Sequence, residues 1–194
     1  FMSSRLVVNS VRHTGASADG ITLDSSGNVT FPANATCSGT ATGFGKFTSY
    51  AIIADQKSDG TLGGTFTTGA WRTRDLNTEV FDPDGIVSIS SNQFTLQAGT
   101  YFINARMPYM MVGFAKMKLY NVTDSSDTAM SESGYSSTGV SANFYIDLKI
   151  RITISAAKVF EIQMAGQVTR SSYGYGYSSS FGTEVYTTVE IYKE

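Results

Sequence analysis

The sequence predicts an all-β chain, an antiparallel sandwich over residues 46–194 preceded by an extended N-terminal arm over residues 1–45. Three observations carry that reading. Serine and threonine make up about a quarter of the 194 residues while charged residues are only 15%, the composition of half-polar pleated surfaces, and no run of helix formers is long enough for a helix. Residues 144–154 alternate strictly, with Phe144, Ile146, Leu148, Ile150, Ile152 and Ile154 against Tyr145, Asp147, Lys149, Arg151 and Thr153, which is a core strand with one polar face. Glycines, 19 in all, fall with Asp, Asn and Ser at loop-sized intervals and divide the remainder into roughly eight short strands with no helical stretch between them. Count and spacing fit a jelly roll and equally an immunoglobulin-like sandwich.

The arm reads as short apolar pieces, Leu6-Val7-Val8, Ile21-Thr22-Leu23 and Val29-Thr30-Phe31, separated by Thr14-Gly15, Asp19-Gly20, Ser26-Gly27-Asn28 and a small-residue tract over 33–45. Units of this size are marginal in water, so the arm needs a partner surface, either two copies of itself or another protein, or else it is a Gly/Ser-rich flexible leader. Forty-odd extended residues reach at most about 150 Å, an arm rather than a long shaft.

The first strand of the sandwich is expected over 46–53, with Phe47, Ser49, Ala51 and Ile53 on one face, followed by a loop over 55–68 marked by Ser58-Asp59-Gly60 and Gly63-Gly64. The stretch 71–107 organises the rest. It holds Trp71, Arg72 and Arg74, an Asp82-Pro83-Asp84-Gly85 turn, and two strand patterns split by Gly99: Ile86, Val87, Ile89, Phe94 and Leu96, then Tyr101, Ile103 and Ala105 against Phe102, Asn104 and Arg106. Over 111–120, Val112, Phe114, Lys116 and Lys118 share one face and Ala115, Met117 and Leu119 the other. Residues 121–139 read as a long polar surface loop. After the strand at 144–154, Phe160, Ile162 and Met164 turn inward with Glu161 and Gln163 outward. The segment 171–182, SSYGYGYSSSFG, interrupts before a last strand in which Val185, Val189 and Ile191 alternate with Tyr186, Glu190 and Tyr192.

Little in the chain points to chemistry. A net charge of −2 supplies no basic stripe for phosphates, so nucleic acid is not an expected partner. No apolar run is long enough to span a bilayer, and residues 1–15 lack the apolar core of a secretory signal, so a product made in the cytosol is expected, with Met2 an initiator, Phe1 a remnant and the chain a complete short protein. The single cysteine, Cys37, excludes an internal disulfide framework. His13 and Cys37 both lie in the arm, without the rigid support that a nucleophilic pair needs or the spacing of a zinc site. The carboxylate pairs Asp82/Asp84 and Asp124/Asp127 sit in turn sequences, where Asp bonds the local backbone, and neither follows the calcium-loop pattern. The sequons at Asn28, Asn34 and Asn121 are no more than a Ser/Thr-rich chain yields by chance. No catalytic residue, metal or cofactor is expected, and the chain does not read as an enzyme.

Recognition has better candidates. Tyr173, Tyr175, Tyr177 and Phe181 in a Ser/Gly background have the make-up of a binding loop, or else form a hairpin with sheet-facing tyrosines. Met107, Tyr109, Met110 and Met111 beside Pro108 fit a core gap or a subunit interface. Trp71, Arg72 and Arg74, with Tyr109, are candidate interface residues because Trp and Arg anchor hot spots; alternatively Trp71 caps one end of the sandwich. Asp147, Lys149 and Arg151 form a solvated charge ladder or register neighbouring subunits.

The order strand, Gly99 corner, Tyr101-x-Ile103 resembles the central strands of jelly-roll heads of the complement and tumour-necrosis-factor type. The segments WRTRDLNTE and SSNQFTLQAGTY resemble a stretch recurring in small virion structural proteins of tailed bacteriophages, a likeness that extends loosely over 46–194. ITLDSSGNVTFPANATCSGTATGFG resembles the attachment or stem segments of phage fibre and surface proteins. The resemblance implies a jelly-roll head, a homotrimer packed side by side about a three-fold axis, and display on the surface of a virion. A capsid-decorating or cement protein would clamp neighbouring capsid subunits with arm and head, whereas a small tail fibre or knob would present the tyrosine loop to a host-surface glycan or receptor. The brief arm favours decoration. A secreted jelly-roll lectin or ligand is the reading from outside the virion.

Overall fold

The computed structural model describes residues 8–11, 14–15, 21–26, 28–31 and 47–194; His13, Cys37, Asn34 and the whole small-residue tract lie outside them. The chain divides into two compact units, Phe1–Phe44 and Gly45–Glu194. In the first, β1 (Ser10–Val11), β2 (Ile21–Leu23) and β3 (Val29–Thr30) form an antiparallel sheet in that order. The turn between β2 and β3 is closed by the Asp24 carboxylate, which accepts from the Ser26 and Asn28 backbone N–H groups and from Asn28 Nδ2. Val11, Leu23, Val29 and Phe31 remain exposed.

The second unit is a two-layer antiparallel sandwich built from β4 (Ser49–Lys57), β5 (Arg72–Thr73), β6 (Thr78–Phe81), β7 (Val87–Ser90), β8 (Gln93–Leu96), β9 (Gly99–Tyr109), β10 (Gly113–Asn121), β11 (Ser126–Met130), β12 (Gly134–Ser136), β13 (Phe144–Ile154), β14 (Lys158–Gly166) and β15 (Glu184–Lys193). One sheet runs β13-β9-β15-β4-β6; the other runs β11-β10-β14-β8-β7, with β12 also on β10 and β5 on β14. Sequence neighbours cross between the layers, as a jelly roll requires. Period-two alternation supplies the core between them: Ala51, Ile53, Tyr101, Ile103, Val189 and Ile191 from one sheet meet Phe94, Leu96, Met117, Leu119, Phe160, Ile162 and Met164 from the other. Each large apolar side chain removed from water there contributes about 1.5–3 kcal/mol.

The strand at 144–154 has the expected bounds, but only Ile146 and Leu148 are buried, Ile150, Ile152 and Ile154 are partly buried against the core, and Phe144 is exposed, because β13 is the edge strand of its sheet. Four expectations change. The first strand runs on through Lys57, with Asp55 buried and bonded by Lys57 and Asn77, while Phe47 lies outside. The run 86–96 is a hairpin, since Ser91 and Asn92 both take the left-handed conformation (φ 54° and 64°) and pair Ser90 with Gln93, the geometry of a type I′ turn. The expected loop 121–139 contributes β11 and β12 to a sheet edge. In β15 a bulge between Val185 and Thr188 turns Val185 outward and buries Tyr186 and Thr187.

Candidate functional site

In β9 the residues Tyr101, Ile103, Ala105 and Met107 face the core, so Phe102, Asn104 and Arg106 face away from it. Registry places Tyr192 opposite Phe102 on one side and opposite Tyr50 on the other, and brings Phe81 to the neighbouring rung. The rings form a stripe across four strands, with centroids 4.9 Å apart for Phe81 and Tyr50, 5.7 Å for Tyr50 and Tyr192, and 6.3 Å for Tyr192 and Phe102. Phe47 adds itself at 5.2 Å from Tyr192. Phe47, Tyr50 and Phe81 are exposed. A contiguous aromatic patch on the solvent face of a sheet marks an interaction surface.

Polar groups border the stripe. Asn104 Nδ2 donates to Glu190 Oε2 at 2.9 Å, and the Tyr192 hydroxyl reaches the same oxygen at 3.3 Å. Arg106 lies 4.4 Å over the Tyr145 ring and 3.7 Å from Asp147, and Arg151 is bidentate on Glu194 at 2.9 and 2.6 Å. Within the chain, then, the expected charge ladder is partly paired.

Of the residues expected at an interface, Arg74 and Tyr109 lie inside the sandwich, at 0% and 2% exposure. Arg74 Nε donates to the Thr187 hydroxyl at 3.0 Å and Nη2 to the Tyr175 carbonyl at 3.0 Å, while its guanidinium sits 4.0 Å over the Tyr175 ring. The β15 bulge is what turns the Thr187 hydroxyl toward it. Burial lowers the Arg74 pKa to about 10 and raises that of the Tyr175 phenol. Tyr109 packs on Phe144 at 6.1 Å and over Gly134, where a Cβ would collide with its hydroxyl. Neither side chain can reach a second subunit, so their role is internal. Arg72 donates to the Thr67 and Thr68 carbonyls, and Trp71 is half-buried on the outer face of the seven-stranded sheet under Lys118 Nζ, 4.6 Å away.

The tyrosine segment is an ordered loop with two kinds of tyrosine. Tyr175 is buried, its N–H donating to the Gly64 carbonyl and its ring near Phe66, so it is a structural residue and not a contact one. Tyr173 is half-buried, 6.0 Å from the Tyr177 ring. Asn143 holds Tyr177 through its backbone, accepting from the N–H at 2.8 Å and donating to the carbonyl at 3.0 Å. Tyr177 is exposed, and Phe181 is exposed by 95%. The loop tip is pinned by Glu184, whose carboxylate accepts from Ser179 N, Ser180 N and Gly60 N; these donors, Ser179 first, hold its carboxyl below the ordinary range.

The carboxylate pairs do local work. Asp82 accepts from Ile86 N and Val87 N, Asp124 takes Lys158 and the Asn121 amide, and Asp127 pairs with Lys118. Among the described residues no group of three His, Cys, Asp or Glu could hold a metal ion, and no helix is long and apolar enough to cross a membrane.

No protein-family model matches the chain and no curated protein is similar to it. Solved structures are. Mouse APRIL (crystallised at pH 5.0) superposes with a TM-score of 0.52 at 8% identity, over 75% of this chain and 98% of that one. The Eiger TNF of S. frugiperda gives 0.52 at 12%, over 77% and 94%. The globular domain of zebrafish complement 1qA gives 0.47 at 10%, over 74% and 94%. The fold is a jelly roll of the tumour-necrosis-factor type. The two sheets described above are its two layers, so the likeness extends over most of the second unit.

Proposed function

We propose that this is a non-enzymatic structural protein of a tailed-phage virion, a homotrimer displayed on the particle surface, docked there by residues 1–45 and serving to decorate the capsid. The observation that carries self-association is the aromatic stripe Phe81, Tyr50, Tyr192, Phe102 and Phe47 on the outward face of the five-stranded sheet, apolar surface that association of like faces removes from water. The virion setting is supported by the resemblance of 71–79 and 90–101, and docking by the exposed apolar residues of the β1-β2-β3 sheet. The exposed Tyr177 and Phe181 favour a second reading, a small tail fibre or knob presenting that loop to a host-surface glycan or receptor.

Light-scattering mass decides the assembly, and particle binding the setting. The full chain and a chain beginning at Lys46 are both expected at three times the monomer mass, with only the full chain binding particles that lack this protein. Phe102→Glu is expected to yield monomers. A monomeric wild-type chain, or equal particle binding without the arm, would overturn the proposal.

A further inference from the structure

We propose a carbohydrate site for an acidic sugar on the opposite layer, in a cleft of about 420 Å³ on the outer face of the seven-stranded sheet, a size within the range of small-ligand sites. The cleft is built by register. β10 pairs Phe114 with Tyr135 of β12 and Lys116 with Ala165 of β14. β5 pairs Thr73 with Gln163 and Arg72 with Met164, and the next step of that ladder brings Trp71 beside Ala165. Two aromatic walls, Trp71 on one side and Phe114 on the other, therefore stand over a floor made of the small side chain of Ala165.

Both walls are fixed in place. Phe114 is 62% exposed yet packs on Tyr135 at a ring distance of 5.0 Å, and Trp71 is held by Lys118, itself paired to Asp127. The Arg72 bonds to Thr67 and Thr68, together with the Thr68 hydroxyl on the Gly166 carbonyl, fix the backbone behind Trp71. Gln167 is fixed by its N–H on the Val112 and Phe114 carbonyls, and its side chain lies over Gly113, where a Cβ would meet Oε1 at 2.7 Å.

The lining selects the ligand. Two aromatic rings beside the small side chain of Ala165 suit the C–H faces of a pyranose, and the Gln167 amide and Ser133 hydroxyl in the lining supply hydrogen-bond partners for its hydroxyls. No carboxylate lines the cleft among the described residues, and Lys116, its cation, makes no ion pair or hydrogen bond within them. An uncompensated ammonium beside stacking rings is complementary to a sugar carboxylate, hence to a uronic or sialic acid unit. The site is independent of the assembly proposal, since it lies on the other layer from the aromatic stripe.

Trp71 is the only tryptophan, so its emission reports the site directly. The full chain is titrated with oligogalacturonate and with oligosialic acid, and with maltohexaose as the neutral control. Saturable change in emission with either acidic probe and a weaker response to maltohexaose is expected. Phe114→Ala, whose exposed ring the fold does not need, should bind about tenfold more weakly, the loss of one ring stack. Lys116→Gln should lose about fivefold for the acidic probe and nothing for the neutral one. Tyr177→Ala should bind as wild type. Emission unmoved by all three saccharides would overturn the site. Equal responses to acidic and neutral probes, or a Lys116→Gln variant that binds as wild type, would overturn its acidic specificity. Weakening by Tyr177→Ala would move the site to the tyrosine loop.

Discussion

Arg74 is a buried cation whose contacts are neutral groups, and replacing it separates charge from shape. Its guanidinium donates to Tyr175 O and Thr187 Oγ1 at 3.0 Å each and stacks on Tyr175 at 4.0 Å. The drop from 12.5 to about 10, at roughly 1.4 kcal/mol per unit, sets the cost of keeping the charge in the interior at about 3 kcal/mol. Arg74→Met keeps most of the volume, removes that cost, and leaves two acceptors without donors at about 1–3 kcal/mol each. The balance lies between a gain of about 1 kcal/mol and a loss of about 3 kcal/mol. Arg74→Ala removes the same bonds and also empties the space between Met164 and Tyr175, so about 3–5 kcal/mol is expected. Urea unfolding followed by Trp71 emission measures both, at one protein concentration because assembly adds to apparent stability. A loss below about 1 kcal/mol for Arg74→Ala, or equal losses for the two variants, would refute this account of the anchor.

Other consequences are as direct. Because donors hold the Glu184 carboxyl below its ordinary 4.5, its anchorage of the loop tip is complete above that value and is lost as the pH falls through the lowered one; hydrogen exchange at Ser179 and Ser180 should quicken there, and at neutral pH in Glu184→Gln. Ser91→Gly should stabilise by up to about 1 kcal/mol, since the φ of 54° costs a side chain that glycine lacks, whereas Asn92→Gly should not, because Asn92 Oδ1 accepts from Leu76 N; thermal unfolding compares them. Gly134→Ala should cost about 1–3 kcal/mol in the same assay, as the new methyl would collide with the Tyr109 hydroxyl and lie 3.0 Å from Ile146.

The layers were legible where alternation is strict. β9, β10, β13 and β14 carry their inward residues in the sequence, since one face of each strand meets the opposite sheet; the other face is mostly solvated, but neighbouring side chains bury Lys118 of β10 and Glu161 of β14, which alternation alone places outside. The Asp82 turn was legible for a related reason, as its carboxylate binds backbone only four and five residues on. What escaped depends on contacts remote in the chain. Ser91-Asn92 lacks the glycine that announces a type I′ turn, and Asn92 is fixed there by Leu76 and Asp75. β11 and β12 are polar because they lie at a sheet edge, and polarity in sequence reads as loop. Arg74 beside Arg72 and Trp71 reads as surface, since nothing local tells that the chain turns it under Tyr175. The aromatic stripe draws rings from positions 47, 50, 81, 102 and 192, each ordinary in its own strand.

That stripe and the Trp71 cleft divide the surface of the sandwich by strand parity. Side chains on one face of β9 fill the core and those on the other carry Phe102, Asn104 and Arg106; in β10 the same rule buries Ala115, Met117 and Leu119 and shows Phe114 and Lys116. Because the core lies between the sheets, the two displayed sets point in opposite directions, and an assembly that covers the first leaves the second open. The two surfaces also differ in what they would do to a partner. The stripe is a continuous run of rings with few unpaired charges, suited to closing against another broad apolar face, whereas the cleft is a shallow hollow lined by two aromatic rings and an unpaired ammonium, suited to a single ring and an acid. Phe102→Glu and Phe114→Ala therefore make a crossed test: the first should abolish the proposed trimer and spare saccharide binding, the second the reverse, and a variant that loses both would overturn the independence of the two surfaces.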